Sequence, residues 1–153
     1  MENALKIKED LYLQCLDVIN RRFQTVQNTI NEIQVSLTSE TKSSAGDKHE
    51  TGRAMLQLER EKAGNQLAEI QKIKEILFKI DVSKTLKIVA LGSIVYTSQA
   101  NYFIAISAGE LTIDGVQFYA ISPSTPIGQL LKGKTVGEKI VFKGQKFTIN
   151  QVV

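Results

Sequence analysis

The chain has 153 residues, of which 42% are hydrophobic and 23% are charged, a composition typical of globular proteins and not of disordered ones. It contains no apolar run near the roughly 20 residues that cross a bilayer and no apolar leader at its start, so we expect no membrane partner and a cytoplasmic location. Its single cysteine excludes an intrachain disulfide and a four-cysteine zinc site. The formal net charge of +3 resides in residues 81–153, because residues 1–80 hold twelve basic and twelve acidic residues. This basic half would suit RNA or an acidic protein surface, or it is only solvated surface.

The N-terminal part carries a heptad pattern of apolar residues. They follow one another at alternating spacings of three and four: Leu16, Ile19, Phe23, Val26, Ile30, Ile33 and Leu37. Neither proline nor glycine occurs in residues 1–45, so nothing in this stretch breaks a helix. The pattern predicts one long helix with a seam that a partner helix must cover.

A second seam follows, and it provides that partner. Leu56, Ala63, Ile70 and Leu77 recur every seven residues, and the stripe is widened by Met55, Leu67, Ile73 and Ile80. The connection between the seams, residues 39–47, is short, polar and rich in turn formers. A short connection between two such helices predicts an antiparallel hairpin, which would be about 50 Å long. A hairpin of this kind could also serve as a dimerisation element.

After Ile80 the apolar pattern changes to a period of two. It predicts strands within residues 88–96, 102–107, 111–121 and 139–152, with tight turns at Asp114-Gly115 and Lys143-Gly144. Pro126 and Gly133 mark the start and the end of one short helix over residues 125–131. The predicted fold class is therefore α+β: a coiled-coil hairpin over residues 1–80, with an acidic tip near 43–50, and a small β-rich domain with one short helix over residues 81–153.

One C-terminal stretch combines glycine, proline and charged residues: Thr125-Pro-Ile-Gly-Gln-Leu-Leu-Lys-Gly-Lys-Thr-Val-Gly-Glu138. It closely resembles the signature of the Gre family of bacterial transcript-cleavage factors, which is roughly Ser-Pro-Ile-Gly-x-Ala-Leu-Leu-Gly-Lys-x-x-Gly-Asp/Glu. Gly92-Ser93-Ile94-Val95 and Ile121-Ser122 resemble two further family segments. The resemblance implies an FKBP-like domain that docks on bacterial RNA polymerase. The docking residues that it implies are Pro126, Ile127, Gly128, Gly133, Lys134 and Gly137.

The connection between the two seams also resembles the family. Gre factors that stimulate cleavage carry Gly-Asp-Leu-Ser-Glu-Asn at the hairpin tip, and this chain has Gly46-Asp47-Lys48-His49-Glu50-Thr51. The resemblance implies that Asp47 and Glu50 assist catalysis by holding a Mg²⁺ ion shared with the polymerase, since carboxylates are ligands that Mg²⁺ prefers and two-metal sites hydrolyse phosphodiesters.

The function implied is that of a monomeric transcription elongation factor. It would bind RNA polymerase, insert its coiled coil in the secondary channel and stimulate cleavage of backtracked RNA, touching the nascent RNA only indirectly. It would not be an enzyme and would have no cofactor of its own beyond the shared Mg²⁺. Arg53, close to the tip, is a candidate contact to RNA phosphates.

Several alternatives remain open from the residues themselves. Asp47-x-x-Glu50 is close to a capping box at the start of a helix. Lys48 and His49 replace the family's leucine and serine, and Ala54 replaces a tyrosine, which favours a Gre-like regulator that occupies the channel without cleavage. The aromatic residues of the β-rich domain could instead line the pocket of a prolyl isomerase, or the hairpin could belong to a coiled-coil adaptor with no link to polymerase.

Overall fold

A computed structural model describes residues 2–42 and 47–153, with side chains for residues 3–39 and 51–153. Two long helices are followed by six strands that form one sheet, with one short helix between the fourth and fifth strands. The predicted α+β fold class is therefore confirmed. In chain order the elements are α1 (Glu2–Lys42), α2 (Asp47–Phe78), β1 (Ile94–Thr97), β2 (Asn101–Ile104), β3 (Gly109–Ile113), β4 (Val116–Ile121), α3 (Pro126–Leu131), β5 (Lys139–Phe142) and β6 (Gln145–Val152).

The chain divides into two compact units. The hairpin unit comprises residues 19–73, and the sheet unit comprises residues 1–18 together with 74–153. The first turns of α1 and the last turn of α2 thus belong to the sheet unit, and this division differs from the boundary after residue 80 that the change of period suggests.

In the hairpin unit, α1 and α2 pack along the predicted seams. Ile33 and Leu37 from the second half of α1 form a buried cluster with Ala63, and the half-buried side chains around it are Val26, Ile30 and Leu56. Since late residues of α1 meet early residues of α2, the helices are antiparallel, as predicted. Met55 is 60% exposed and does not widen the seam.

The sheet unit is built on strands in the order β3-β4-β2-β1-β6-β5. All neighbours are antiparallel except β2 and β4, which are parallel. Both predicted tight turns are present. The φ angles of Asp114 and Gly115 are 49° and 79°, and those of Lys143 and Gly144 are 50° and 77°. Two successive left-handed residues are the geometry of a two-residue hairpin loop that matches the twist of the strands.

The core of the sheet unit lies between α3 and one face of the sheet. Its buried members are Val89, Val95, Ile104, Leu131, Ile140, Phe147 and Ile149. Residues that alternate with these point to the other face, where the ring of Tyr96 meets that of Phe118 edge-on at a centroid distance of 5.8 Å.

The start of α1 and the end of α2 pack within the sheet unit through buried side chains and hydrogen bonds. Leu11 and Cys15 of α1 and Leu77 of α2 are fully buried, and the Gln14 Nε2 donates to the carbonyl of Thr112 on edge strand β3 at 3.1 Å. Lys8 is also fully buried, and its ammonium donates to the carbonyl of Lys84 at 2.8 Å. Residues 81–85, which separate the two halves of the sequence, are therefore fixed by a contact from α1.

No helix within the described ranges is long and apolar enough to cross a membrane.

Candidate functional site

The stretch with the strongest family resemblance begins with a loop whose polar groups bond to one another. The Thr125 hydroxyl donates to the carbonyl of Ser122 at 2.7 Å and accepts from the backbone N–H of Gly128 at 3.2 Å. The Ser124 N–H donates to the Ser122 hydroxyl, and the Gln129 amide donates to the Ser124 carbonyl. Thr125 is thus the N-cap of α3, and Pro126 follows at a position where a helix needs no N–H donor.

Gly128 is required by close packing against this loop. A Cβ at this position would lie 2.3 Å from the carbonyl oxygen of Ser122 and 2.9 Å from the Thr125 hydroxyl. The backbone of α3 can approach the loop only because residue 128 has no side chain. The motif's first glycine is therefore explained by the fold alone.

The end of α3 is joined to the segment before β1. Gly133 has a φ of 82°, the left-handed conformation common just beyond a helix C-terminus. Its N–H donates to the carbonyl of Val89 at 2.8 Å, and the Val89 N–H donates to the Lys134 carbonyl at 2.9 Å. Val89 thus bonds to the motif while Gly92 bonds to Ile104, and β1 begins at Ile94 and not at Ile88 as predicted.

The last part of the motif forms a turn that leads into β5. Gly137 has a φ of 91°, and its N–H donates to the carbonyl of Ile149 on β6 at 2.8 Å. The Glu138 carboxylate accepts from the Thr135 N–H at 2.6 Å. Gly137 and Glu138 therefore both have a role in forming this turn.

The predicted docking residues divide by exposure. Gly128 is buried and Ile127 is half-buried and packs against the core. Lys134 is half-buried. Pro126, Gly133 and Gly137 are exposed, but of these three only Pro126 has a side chain to offer a partner.

Two apolar side chains in the same motif lie at the surface and were not predicted as site residues. Leu130 on α3 is 39% exposed and Val136 in the following turn is 57% exposed. Because Leu130 and Leu131 are adjacent in sequence, periodicity over six helical residues does not tell which of them is buried. The structure buries Leu131 fully.

The predicted catalytic and metal-holding residues are at the start of α2. Asp47 is its first residue and Glu50 lies in its first turn, but the side chains of both lie outside the described residues, as do those of Lys48 and His49. Arg53, the candidate RNA contact, is exposed on α2, as is Ala54. In the ranges for which side chains are described, no group of three or more His, Cys, Asp and Glu residues is arranged to hold a metal ion; Asp47 and Glu50 are outside that search.

The aromatic side chains that would line an isomerase pocket serve mainly as core. Phe103, Phe118 and Phe147 are buried. The rings of Tyr102 and Tyr119 are neighbours, with their centroids 6.2 Å apart. Burial raises the pKa of the Tyr102 phenol, with a smaller contribution from Tyr119. The cavity next to Tyr119, about 360 Å³, is polar and contains that single ring, its other lining residues being Gln99, Ala100, Asn101, Gly115 and Gln117.

Similar solved structures include two of a Gre-factor homolog. No family model matches the chain, and no curated protein matches it. The crystal structure of the GreA factor homolog 1 (Gfh1) protein of Thermus thermophilus has 17% identity over 88% of this chain and 92% of that chain, with a TM-score of 0.35. A structure of the transcription factor Gfh1 has 15% identity over 92% of each chain, with a TM-score of 0.33. Identities and TM-scores this low carry no argument about what the chain binds or does.

Proposed function

We propose that this chain is a bacterial transcription elongation factor of the Gre type, which binds RNA polymerase and acts through its hairpin tip in the secondary channel. One observation carries the proposal: a hairpin whose connection reads Gly46-Asp47-x-x-Glu50 precedes a sheet domain whose helix lies within the Gre-like motif 125–138. Both resemblances occur in the same order as in the family. The activity proposed is stimulation of the polymerase's own cleavage of backtracked RNA, so that the chain is an accessory factor and not an enzyme.

At the tip, Asp47 and Glu50 would hold a Mg²⁺ ion shared with the polymerase. The two acids lie three positions apart at the start of α2, and this i, i+3 spacing lets helical side chains meet one ligand. When bound, the ion supplies Lewis-acid stabilisation of the transferring phosphate and a more acidic water. Their fit to the ion rests on residue type and spacing, since carboxylates plus waters are the usual protein ligands of Mg²⁺.

Docking is assigned to the exposed part of the motif and not to its buried part. Gly128 and Ile127 maintain the packing of α3, so a partner meets Pro126, Leu130 and the adjoining Lys134. Leu130 is the most useful probe of the three because its side chain is 39% exposed and its replacement leaves the core untouched.

One experiment separates binding from chemistry. Backtracked elongation complexes are mixed with the wild-type chain, with Asp47→Asn, with Leu130→Glu and with the control Glu59→Gln, which removes one exposed carboxylate from α2 outside the tip. Asparagine caps a helix about as well as aspartate but lacks the charge that a Mg²⁺ ligand needs. Polymerase affinity and RNA cleavage are measured on the same samples.

We expect Asp47→Asn to keep polymerase affinity and to lose stimulated cleavage by at least about tenfold, which corresponds to about 1.4 kcal/mol of transition-state stabilisation. Leu130→Glu should lose affinity, and Glu59→Gln should change neither quantity. Full cleavage by Asp47→Asn would show that the carboxylate is only a helix cap. Failure of the wild-type chain to bind polymerase would refute the whole assignment.

A second function is favoured by three residues in and near the tip. Lys48 and His49 add a cation and an imidazole where the family has leucine and serine, and Ala54 replaces a tyrosine. Positive charge beside the acids opposes metal binding. If the wild-type chain binds polymerase and alters transcription without any cleavage, it is a Gre-like regulator that occupies the channel.

A further inference from the structure

Charge is distributed unevenly along the chain, and the excess is concentrated at one edge of the sheet. Residues 132–146 contain five lysines and one glutamate, a formal charge of +4, whereas the whole chain carries +3. This segment comprises the residues that follow α3, the turn before β5, β5 itself and the first residues of β6. The remainder of the chain is therefore close to neutral.

The β5–β6 hairpin holds three of these lysines on a surface turned away from the core. Ile140 and Phe147 are opposite each other and buried in the core. The next pair, Val141 and Lys146, must face the other way because side chains alternate along a strand. Lys139 lies on the same outer face two residues before Val141, and Lys143 occupies the turn. We call this surface, comprising Lys139, Lys143 and Lys146, the lysine ribbon.

Spacing on the lysine ribbon suits a row of negative charges. Lys139 and Lys146 are diagonal neighbours across the two strands, a geometry with about 7–8 Å between the residues. The Lys143 ammonium lies over the ring of Phe142, 5.4 Å from its centroid, which keeps this charge at the end of the hairpin. All three lysines are exposed.

Among the residues whose side chains the structure describes, no acid pairs with the lysine ribbon. Glu138, the one acid in the segment, has its carboxylate engaged with the Thr135 N–H. Glu110 and Asp114 belong to β3 and its turn, at the opposite edge of the six-stranded sheet, which is four strand spacings from β6 and five from β5, or about 19–24 Å at roughly 4.8 Å per strand. This separation is about two to three Debye lengths at physiological salt. Within the described part of the chain, none of the five lysines forms an ion pair.

Protection of a sheet edge does not account for the arrangement. Lysines on edge strands prevent pairing with other chains, and β5 is an edge strand. Only Lys139 is on β5, however, while Lys143 and Lys146 are in the turn and on β6. The other edge strand, β3, carries no lysine and is contacted by Gln14.

From these observations we propose that the lysine ribbon binds the phosphate backbone of duplex nucleic acid without sequence preference. Interfaces with proteins are enriched in aromatic residues and arginine and depleted in lysine, and the charged groups here are all lysines. Lysine contacts phosphate as a point charge. Both rings of the hairpin, Phe142 and Phe147, pack against the core, so no ring is offered for the base stacking that holds single strands. This proposal is independent of polymerase binding.

The test measures binding of a fluorescent 20-base-pair DNA duplex by anisotropy between 50 and 200 mM salt. The triple variant Lys139→Gln, Lys143→Gln, Lys146→Gln is compared with a matched control that neutralises three exposed lysines elsewhere. The control substitutions are Lys62→Gln, Lys79→Gln and Lys87→Gln. Both variants have the same net charge, so any difference between them reports position and not total charge.

We expect the ribbon variant to bind the duplex at least about tenfold more weakly at 50 mM salt, and the slope of log K against log salt to fall by about 0.9 for each lysine that contacts a phosphate. The control should retain the wild-type slope. Equal losses in the two variants, or no duplex binding by the wild-type chain at 50 mM salt, would overturn the proposal. Polyglutamate that binds the wild-type chain as tightly as the duplex does would overturn it as well, because the partner would then be an acidic protein surface.

Discussion

Gly128 offers the most direct test of the sheet unit's packing. In Gly128→Ala the new Cβ would lie 2.3 Å from the backbone carbonyl oxygen of Ser122, a distance that real Cβ contacts do not reach. The neighbour is backbone and not the end of a flexible side chain, so α3 or the 122–125 loop must shift by about 1 Å to restore van der Waals contact. Gly64→Ala on α2 is the matched control, since a Cβ there meets nothing within 4 Å.

The expected cost of Gly128→Ala follows from three contributions. Overpacking costs about 1–3 kcal/mol. A shift of the loop also weakens the bond from the Gly128 N–H to the Thr125 hydroxyl, and loss of an N-cap costs about 1 kcal/mol. Alanine returns about 1 kcal/mol through its better helix propensity. The free energy of unfolding should fall by about 1–3 kcal/mol, and for a unit of roughly 100 residues the melting temperature should fall by about 5–20 °C. Gly64→Ala should instead stabilise its helix by about 0.5–1 kcal/mol.

Each variant has an optical signal of its own. The chain has four tyrosines and no tryptophan, and all four tyrosines, at positions 12, 96, 102 and 119, belong to the sheet unit. Tyrosine fluorescence therefore follows unfolding of the unit that contains Gly128. Far-UV circular dichroism follows unfolding of the long helices, one of which, α2, contains Gly64. An unchanged tyrosine transition in Gly128→Ala would refute the steric argument. A destabilised Gly64→Ala would show that glycine replacement is harmful for reasons other than contact.

Two further predictions concern buried titratable groups of α1. Cys15 is fully buried, so its thiol should resist a disulfide reagent until the protein unfolds. Burial also raises the thiol pKa from 9.0 to about 12, so the unfolded chain ionises first and the free energy of unfolding falls between about pH 9 and pH 12. Cys15→Ala should remove that fall. Burial lowers the pKa of Lys8 from 10.5, although the charge of Asp81 opposes this. The folded chain thus releases this proton before the unfolded chain does, and the free energy of unfolding gains a contribution that rises as pH approaches 10.5. Lys8→Met should abolish that rise in urea titrations at several pH values; a rise that persists would contradict this interpretation.

The helical hairpin was predictable because its signal is long and periodic. Seven apolar residues from Leu16 to Leu37 repeat with one period, and the buried pair Ile33 and Leu37 belongs to that series. Heptad counting is less informative at the base of α1. There the buried residues are Lys8, Leu11 and Cys15, because the sheet unit and not the partner helix determines which face is covered.

The β-rich half was predicted less completely. Both tight turns and α3 are marked by glycine or proline, whose backbone preferences are local. The segment 88–93 begins with a run of four apolar residues, which is compatible with a buried strand, but Val89 bonds to Gly133 and Lys134. Those partners are more than forty residues away in the chain, so local patterning contains no information about them.

The two ends of the resemblance carry different kinds of evidence. In the motif 125–138, sterics and backbone conformation explain Gly128, Gly133 and Gly137, so a match at these positions reports the shape of the sheet unit and would be retained by any protein that uses it. At Asp47 the situation is reversed, because asparagine or serine caps a helix about as well as aspartate. A requirement for negative charge would favour aspartate over both, and a helix dipole contributes only about 0.3–1 kcal/mol toward that preference. The proposed function is therefore tested at a position where helix capping accepts several residues, and the decisive comparison is between two side chains that differ in charge and not in shape.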